Sequence, residues 1–168
     1  MISLAFDRRD FVLLDDNTYR WIDVKHFTFH PASDVDAGDV IESLINNWRY
    51  RDHYASATSH EEDAHTIHGP FLVATISQSN FTPIDVATFG GVVHEFLSLY
   101  DNLPGTEKQV EIDRVLFPLQ SDGTKFYQMT KSLDDDIHEW GFVLWEFREL
   151  LVLELSKGQL ALCVMAID

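Results

Sequence analysis

Leu150-Leu151-Val152-Leu153-Glu154-Leu155-Ser156-Lys157-Gly158-Gln159-Leu160-Ala161-Leu162-Cys163-Val164-Met165-Ala166-Ile167 is the stretch that decides the fold. Two apolar runs, Leu150 to Leu155 and Gln159 to Ile167, flank a short polar turn with a glycine, the pattern of a β-hairpin. The second run is the most apolar of the chain. A strand so uniformly apolar belongs in the interior of a sheet with both faces covered.

The preceding segment, 134–149, reads two ways. Ser132 with Asp135 resembles a capping box, and Ile137, Trp140, Leu144, Phe147 and Leu151 recur at helical spacing. Gly141 and the dense run Phe142-Val143-Leu144-Trp145 would suit a buried strand instead. The helix is the favoured expectation. Further back, Val110 to Leu119 and Lys125 to Thr130 flank Ser121-Asp122-Gly123-Thr124, a second hairpin signal, with Pro118 pushing its strand to an edge.

Thr82 as cap, Pro83 at the first helical position and Asp85 three residues after the cap predict a helix start. Its buried face would be Ile84, Phe89, Val92, Val93, Phe96, Leu97 and Tyr100, with Gly90-Gly91 allowing close approach to the sheet. Asn102-Leu103-Pro104-Gly105 stops it. Phe71 to Ser77 is a continuous apolar run and reads as an interior strand. Asp36 caps another helix, with Val40, Ile41, Leu44, Ile45 and Trp48 on one stripe. Before it, Ile2 to Phe6, Phe11 to Leu14 and Tyr19 to Phe29 read as strands, with Asp15-Asp16-Asn17 as a turn. Residues 54–69 lack periodicity and form a long polar loop. Residues 1–168 therefore make one α+β domain, a largely antiparallel sheet with two or three packed helices.

At 168 residues, 45% apolar and 24% charged, the chain has ordinary globular composition. Twelve Lys and Arg stand against twenty-eight Asp and Glu, a formal charge of -16. Such a surface repels nucleic acid and anionic lipid, so neither is an expected partner. Ile2 to Phe6 is too short for a signal-peptide apolar region, and the longest uncharged stretch, 64–84 apart from its histidines, is broken by Pro70 and Pro83. The single Cys163 sits in the apolar run and reads as a core thiol. The cytoplasm is the expected compartment.

The eight histidines are the first place to look for chemistry. His53, His60, His65 and His68 stand near Glu61, Glu62 and Asp63. A zinc hydrolase needs two histidines four apart on one helix turn; His60 and His65 are five apart, so the match fails. His60, His65 and His68 remain the candidate ligands of an alternative, metal-assisted hydrolase. His26 and His30 share a strand side but lie over about 12 Å apart. There is no glycine-rich phosphate loop and no serine elbow, so no cofactor and no catalytic residue is assigned.

The charge distribution carries more. From Asp52 to Glu107, fifty-six residues, there is no Lys or Arg and there are eight acids. Glu61-Glu62-Asp63 and Asp134-Asp135-Asp136 are the densest foci. The plain reading is a solvated face; the sharper one is a surface that meets a basic protein partner. The concrete form is an immunity-type inhibitor, with those six acids as the partner-binding residues. A homo-oligomeric structural or regulatory subunit is the other alternative.

Overall fold

The computed structural model describes residues 2–14, 19–54, 66–135 and 137–168. The 150–167 hairpin is its centre. Strand β7 (Glu146–Glu154) pairs antiparallel with β8 (Gln159–Ile167) along their whole length, from Glu146 opposite Ile167 to Glu154 opposite Gln159. On the other side of β8 lies β2 (Arg20–Thr28), then β1 (Ala5–Leu13) at one edge. Beyond β7 come β6 (Lys125–Met129) and β5 (Phe81–Ile84) at the other edge. All five neighbouring pairs are antiparallel. A separate two-stranded ribbon joins β3 (Ile67–His68) to β4 (Phe71–Leu72).

Strand alternation sorts the apolar residues of β8 between two cores. Leu160, Leu162, Val164 and Ala166 face helix α1 (Ala37–Ile45), whose Val40, Ile41, Leu44 and Ile45 pack on them. Ala161, Cys163, Met165 and Ile167 face helices α2 (Val86–Leu97) and α3 (Thr106–Leu116) through Phe89, Phe96, Ile112 and Val115. The result is an α+β fold with the sheet as the middle of three layers, and the interior position expected for β8 is what is found. Arg20, buried on the α2 side, donates from Nη1 to the carbonyls of Leu97 (3.0 Å) and Leu99 (3.1 Å) and from Nη2 to that of Asn102 (2.6 Å). A cation on the exposed carbonyls of a helix end is stabilising by up to about 2 kcal/mol.

Helix α1 starts as its sequence predicts. Asp36 Oδ1 accepts from the Asp39 amide at 2.9 Å, and the reciprocal bond to Asp39 completes a capping box. Five expectations need correction. Thr82 and Pro83 lie in β5; Asp85 is the cap of α2, accepting from the Thr88 amide at 2.7 Å. Proline fits an edge strand as well as a first helical turn, so the same residue served both readings. Residues 110–119 are mostly helix α3, because Ile112, Val115 and Leu116 form its buried stripe. Gly90 and Gly91 are exposed with nothing within 4 Å of where a side chain would begin, so they do not approach the sheet.

The run Phe71–Ser77 is strand for only two residues, then a 3-10 turn over Val73–Thr75. Phe71 and Ile76 plug the core while Leu72 is exposed, so the run is not an interior strand. The segment 134–149 is likewise no helix. It holds one 3-10 turn at Gly141–Val143 and enters β7 at Glu146. A Cβ on Gly141 would stand 2.7 Å from the Pro70 carbonyl oxygen, so the glycine marks a close chain crossing.

Gly158 closes the central hairpin with φ +62°, and a Cβ there would lie 2.0 Å from the Phe29 carbonyl oxygen. The same residue accepts a hydrogen bond from the Phe29 amide at 2.8 Å, so its backbone cannot retreat. Gly158→Ala is expected to cost well over about 2 kcal/mol in chemical denaturation, the backbone penalty plus the clash. Gly123→Ala is the control: φ is +85° but the space is open, leaving only the backbone penalty of about 1–2 kcal/mol. Equal losses for the two would contradict the close approach.

Candidate functional site

Two features stand apart from an ordinary core. The first is a group of ionisable side chains buried on the α1 side of the sheet. Asp23 and Lys25 of β2 lie on the same strand face as Trp21 and Phe27, and Glu149 of β7 lies between Phe147 and Leu151. Asp23 and Glu149 both face Val164 of β8 across the ladder, so one sheet rung carries two carboxyl groups. Asp52, Tyr50 and Tyr54 close over them from the chain after α1, and His68 comes from β3.

Lys25 Nζ donates to Asp52 Oδ2 at 2.9 Å and to the Arg49 carbonyl at 3.0 Å, with both charged side chains fully buried. Arg9 of β1 donates to Asp23 Oδ1 at 2.8 Å and lies 3.6 Å from Asp52. Burial pushes the Asp23 carboxyl up, against the pull of Arg9 and Lys25. Burial acts the same way on Asp52, but Lys25, the Tyr54 amide and Arg9 together outweigh it and hold that carboxyl below its ordinary value. Burial, with Glu149 beside Tyr50 and the Asp23 and Asp52 charges beside Tyr54, raises both phenols well above the ordinary range.

His68 stacks on the Tyr50 ring, centroids 3.7 Å apart and 7° from parallel. Its Nδ1 hydrogen bonds the Tyr50 carbonyl, and its Nε2 lies 2.8 Å from Glu149 Oε2. Tyr50 Oη donates to Glu149 Oε1 at 3.1 Å. A carbonyl oxygen only accepts, so Nδ1 carries a proton. The contact between Nε2 and the carboxyl group then needs a second proton, on one partner or the other. In either case the His68–Glu149 pair is neutral as a unit. Arg9 and Lys25 balance Asp23 and Asp52, and the described part of the cluster sums to zero charge, which is what burial of so many ionisable groups requires.

His68 is therefore not part of a solvated loop, and both its ring nitrogens are engaged inside the protein. His60, His65, Glu61, Glu62, Asp63 and Asp136 lie outside the described residues. Asp23, Lys25 and Glu149 went unnoticed in the sequence although a signal existed: charges at strand spacing on an otherwise apolar face.

The second feature is on the surface. Trp140, Phe142 and Trp145 are 63%, 63% and 75% exposed, within six residues of chain. The Trp140 and Phe142 rings stand 6.2 Å apart at 36°. Asp134 and Asp135 precede them, both exposed, in a turn where Asp135 Oδ2 accepts from the Ser132 amide at 2.6 Å. His138 Nε2 donates to the Gly69 carbonyl at 2.9 Å and its amide to the Pro70 carbonyl at 2.9 Å, anchoring the segment to the β3–β4 turn. Helical periodicity hid this patch, because a helix would have buried Trp140 with Leu144 and Phe147.

Among the described residues no helix is long and apolar enough to cross a membrane. No family model matches the chain. No curated protein matches it either. Among solved structures, the chain is similar to the crystal structure of citrus MAF1, at a TM-score of 0.41 and 11% identity over 92% of this chain and 91% of that one.

Proposed function

We propose that this chain is a small acidic protein-binding domain that covers a basic surface of a partner protein, in the manner of an immunity-type inhibitor acting in the cytoplasm. The observation that carries this reading is the exposed triad Trp140, Phe142 and Trp145 inside an acidic segment. Residues 132–147 hold five acids and no Lys or Arg. Large aromatic side chains are enriched at the energetic centres of protein interfaces, and three in one exposed segment is a concentration that a free surface does not need. Acids around them supply steering toward a cationic partner and reject anionic ones. Asp134 and Asp135 stand exposed in this segment; Asp136, and Glu61, Glu62 and Asp63 as a second acidic contact, are proposed to join them in meeting the partner.

The test needs a partner purified after capture from source-cell extract, with rates measured at low and high salt. Trp140→Ala or Trp145→Ala is expected to weaken binding about ten-fold or more, mainly through faster dissociation. Reversing Asp134, Asp135 and Asp136 to Lys is expected to slow association and flatten its salt dependence. Association that is flat from low to high salt and indifferent to both sets of substitutions would overturn the reading. Loss of self-association on Trp140→Ala in sedimentation would favour the homo-oligomer instead.

A further inference from the structure

The bonds inside the buried cluster leave two polar atoms over. Among the described residues, Asp23 Oδ2 and Tyr54 Oη have no hydrogen-bond partner, although each residue is only 1% exposed. The other Asp23 oxygen is taken by Arg9, and the Tyr54 amide by Asp52 Oδ1. A polar atom left bare in the core costs its full desolvation, so buried groups nearly always find a partner in the chain or in ordered water.

The two atoms share one corner of the cluster. The Tyr54 ring stacks on Trp21 at 5.5 Å, meets Phe147 at 6.1 Å and His68 edge-on at 5.4 Å, and has Lys25 Nζ 5.0 Å from its centre. Trp21 and Phe147 flank the small Ala166 on one rung of the sheet, and Asp23 and Glu149 flank Val164 on the next rung of this face. The ring thus stands between Trp21 and Lys25, the two neighbours of Asp23 on the same strand face. Burial is the main cause of the raised Tyr54 phenol and the Asp23 charge is the next, ahead of Asp52 and Glu149, so the hydroxyl is turned toward Asp23. Tyr54 holds this place from a left-handed backbone, φ +53°, which a bulky residue keeps only where its surroundings fix it.

We infer that this corner is a binding site for one internal water molecule, which bridges Tyr54 Oη and Asp23 Oδ2. The chemistry of the two atoms selects that ligand. One is a hydroxyl that donates and the other a carboxylate oxygen that accepts, so the ligand accepts from the first and donates to the second. It is uncharged, because Arg9 and Lys25 already balance Asp23 and Asp52, and a further ion would stand uncompensated in the core. It is small, because Trp21, His68 and Phe147 crowd the ring that carries the hydroxyl. Water meets all three conditions, and such molecules typically make about three hydrogen bonds in protein interiors. The bridge ties Tyr54 to β2, so its hydroxyl as well as its ring holds the chain after α1 over the sheet.

The experiment uses the full chain twice. A high-resolution crystal structure should show one density peak at hydrogen-bonding distance, about 2.7–3.0 Å, from both atoms. In solution, oxygen-17 relaxation dispersion counts long-lived internal waters, and Tyr54→Phe with an otherwise unchanged amide spectrum should lower that count by one. The wild-type density decides the matter even if the variant does not fold. A map with no peak there, or with Tyr54 Oη and Asp23 Oδ2 bonded directly to each other, would overturn the site. So would a peak with the many short ligands of a metal ion, or a count that stays the same in the folded variant.

Discussion

Asp52→Asn is expected to lower the unfolding free energy by about 3–5 kcal/mol, the cost of removing the carboxylate from a buried ion pair. Lys25 is fully buried, and its ammonium rests on Asp52 Oδ2 and the Arg49 carbonyl. Asparagine keeps the shape and can still accept from the Tyr54 amide, which now bonds Oδ1 at 3.0 Å. It cannot supply the negative charge. Asp23→Asn should cost less, under about 2 kcal/mol, although the side chain is equally buried. Burial already disfavours the Asp23 carboxylate, and its partner Arg9 is partly exposed and also near Asp52. Equal costs in urea denaturation would contradict this ranking.

The same two residues give opposite pH signatures. Asp52 has its folded value below that of an unfolded aspartate, near about 3.9. Its contribution is present above that value and is lost as pH falls through the lower, folded one. Asp23 has its folded value raised, so the folded state binds its proton first. Lowering the pH through that raised value toward the unfolded one therefore adds stability. Wild-type protein should hold or gain stability on approach to pH 4 and lose it below. In Asp52→Asn the loss below should shrink, and in Asp23→Asn the gain above should vanish.

What the sequence made legible follows from how local each signal is. The hairpin at 150–167, the Asp36 cap and the apolar stripe of α1 depend on neighbours within a turn or two, and they are found where the residues place them. The segment around Trp140 was not legible, because its apolar residues satisfy helical spacing while their burial is decided by distant contacts. The chain crossing of Gly141 over Pro70 excludes a helix there, and nothing near residue 141 announces residue 70. The buried cluster is an intermediate case. Asp23 and Lys25 are visible as charges on the apolar face of β2, but their partners Arg9 and Asp52 come from other elements and could be named only from the fold.

Glu149→Gln should behave quite unlike Asp52→Asn, although both exchange a buried carboxyl for an amide. Glu149 faces Tyr50 Oη, which only needs an acceptor, and His68 Nε2, which can either donate or accept. With glutamine in place, Oε1 accepts from Tyr50 and the amide nitrogen donates to a neutral His68 whose Nδ1 proton stays on the Tyr50 carbonyl. Every polar atom of the triad remains bonded and the cluster keeps its balance, so the cost should stay within about 1 kcal/mol. Glu149→Ala removes the shared acceptor, strands the Tyr50 hydroxyl and the imidazole in the core, and opens a cavity between Phe147 and Leu151. Those terms together should reach about 3–5 kcal/mol. The contrast tests the neutrality of the His68–Glu149 unit directly. If glutamine proves as damaging as alanine, the pair carries a charge that the rest of the cluster depends on. Lys25 differs from His68 in one respect that explains the asymmetry: its ammonium has three donors and no acceptor, so no amide at position 52 can take the place of the carboxylate.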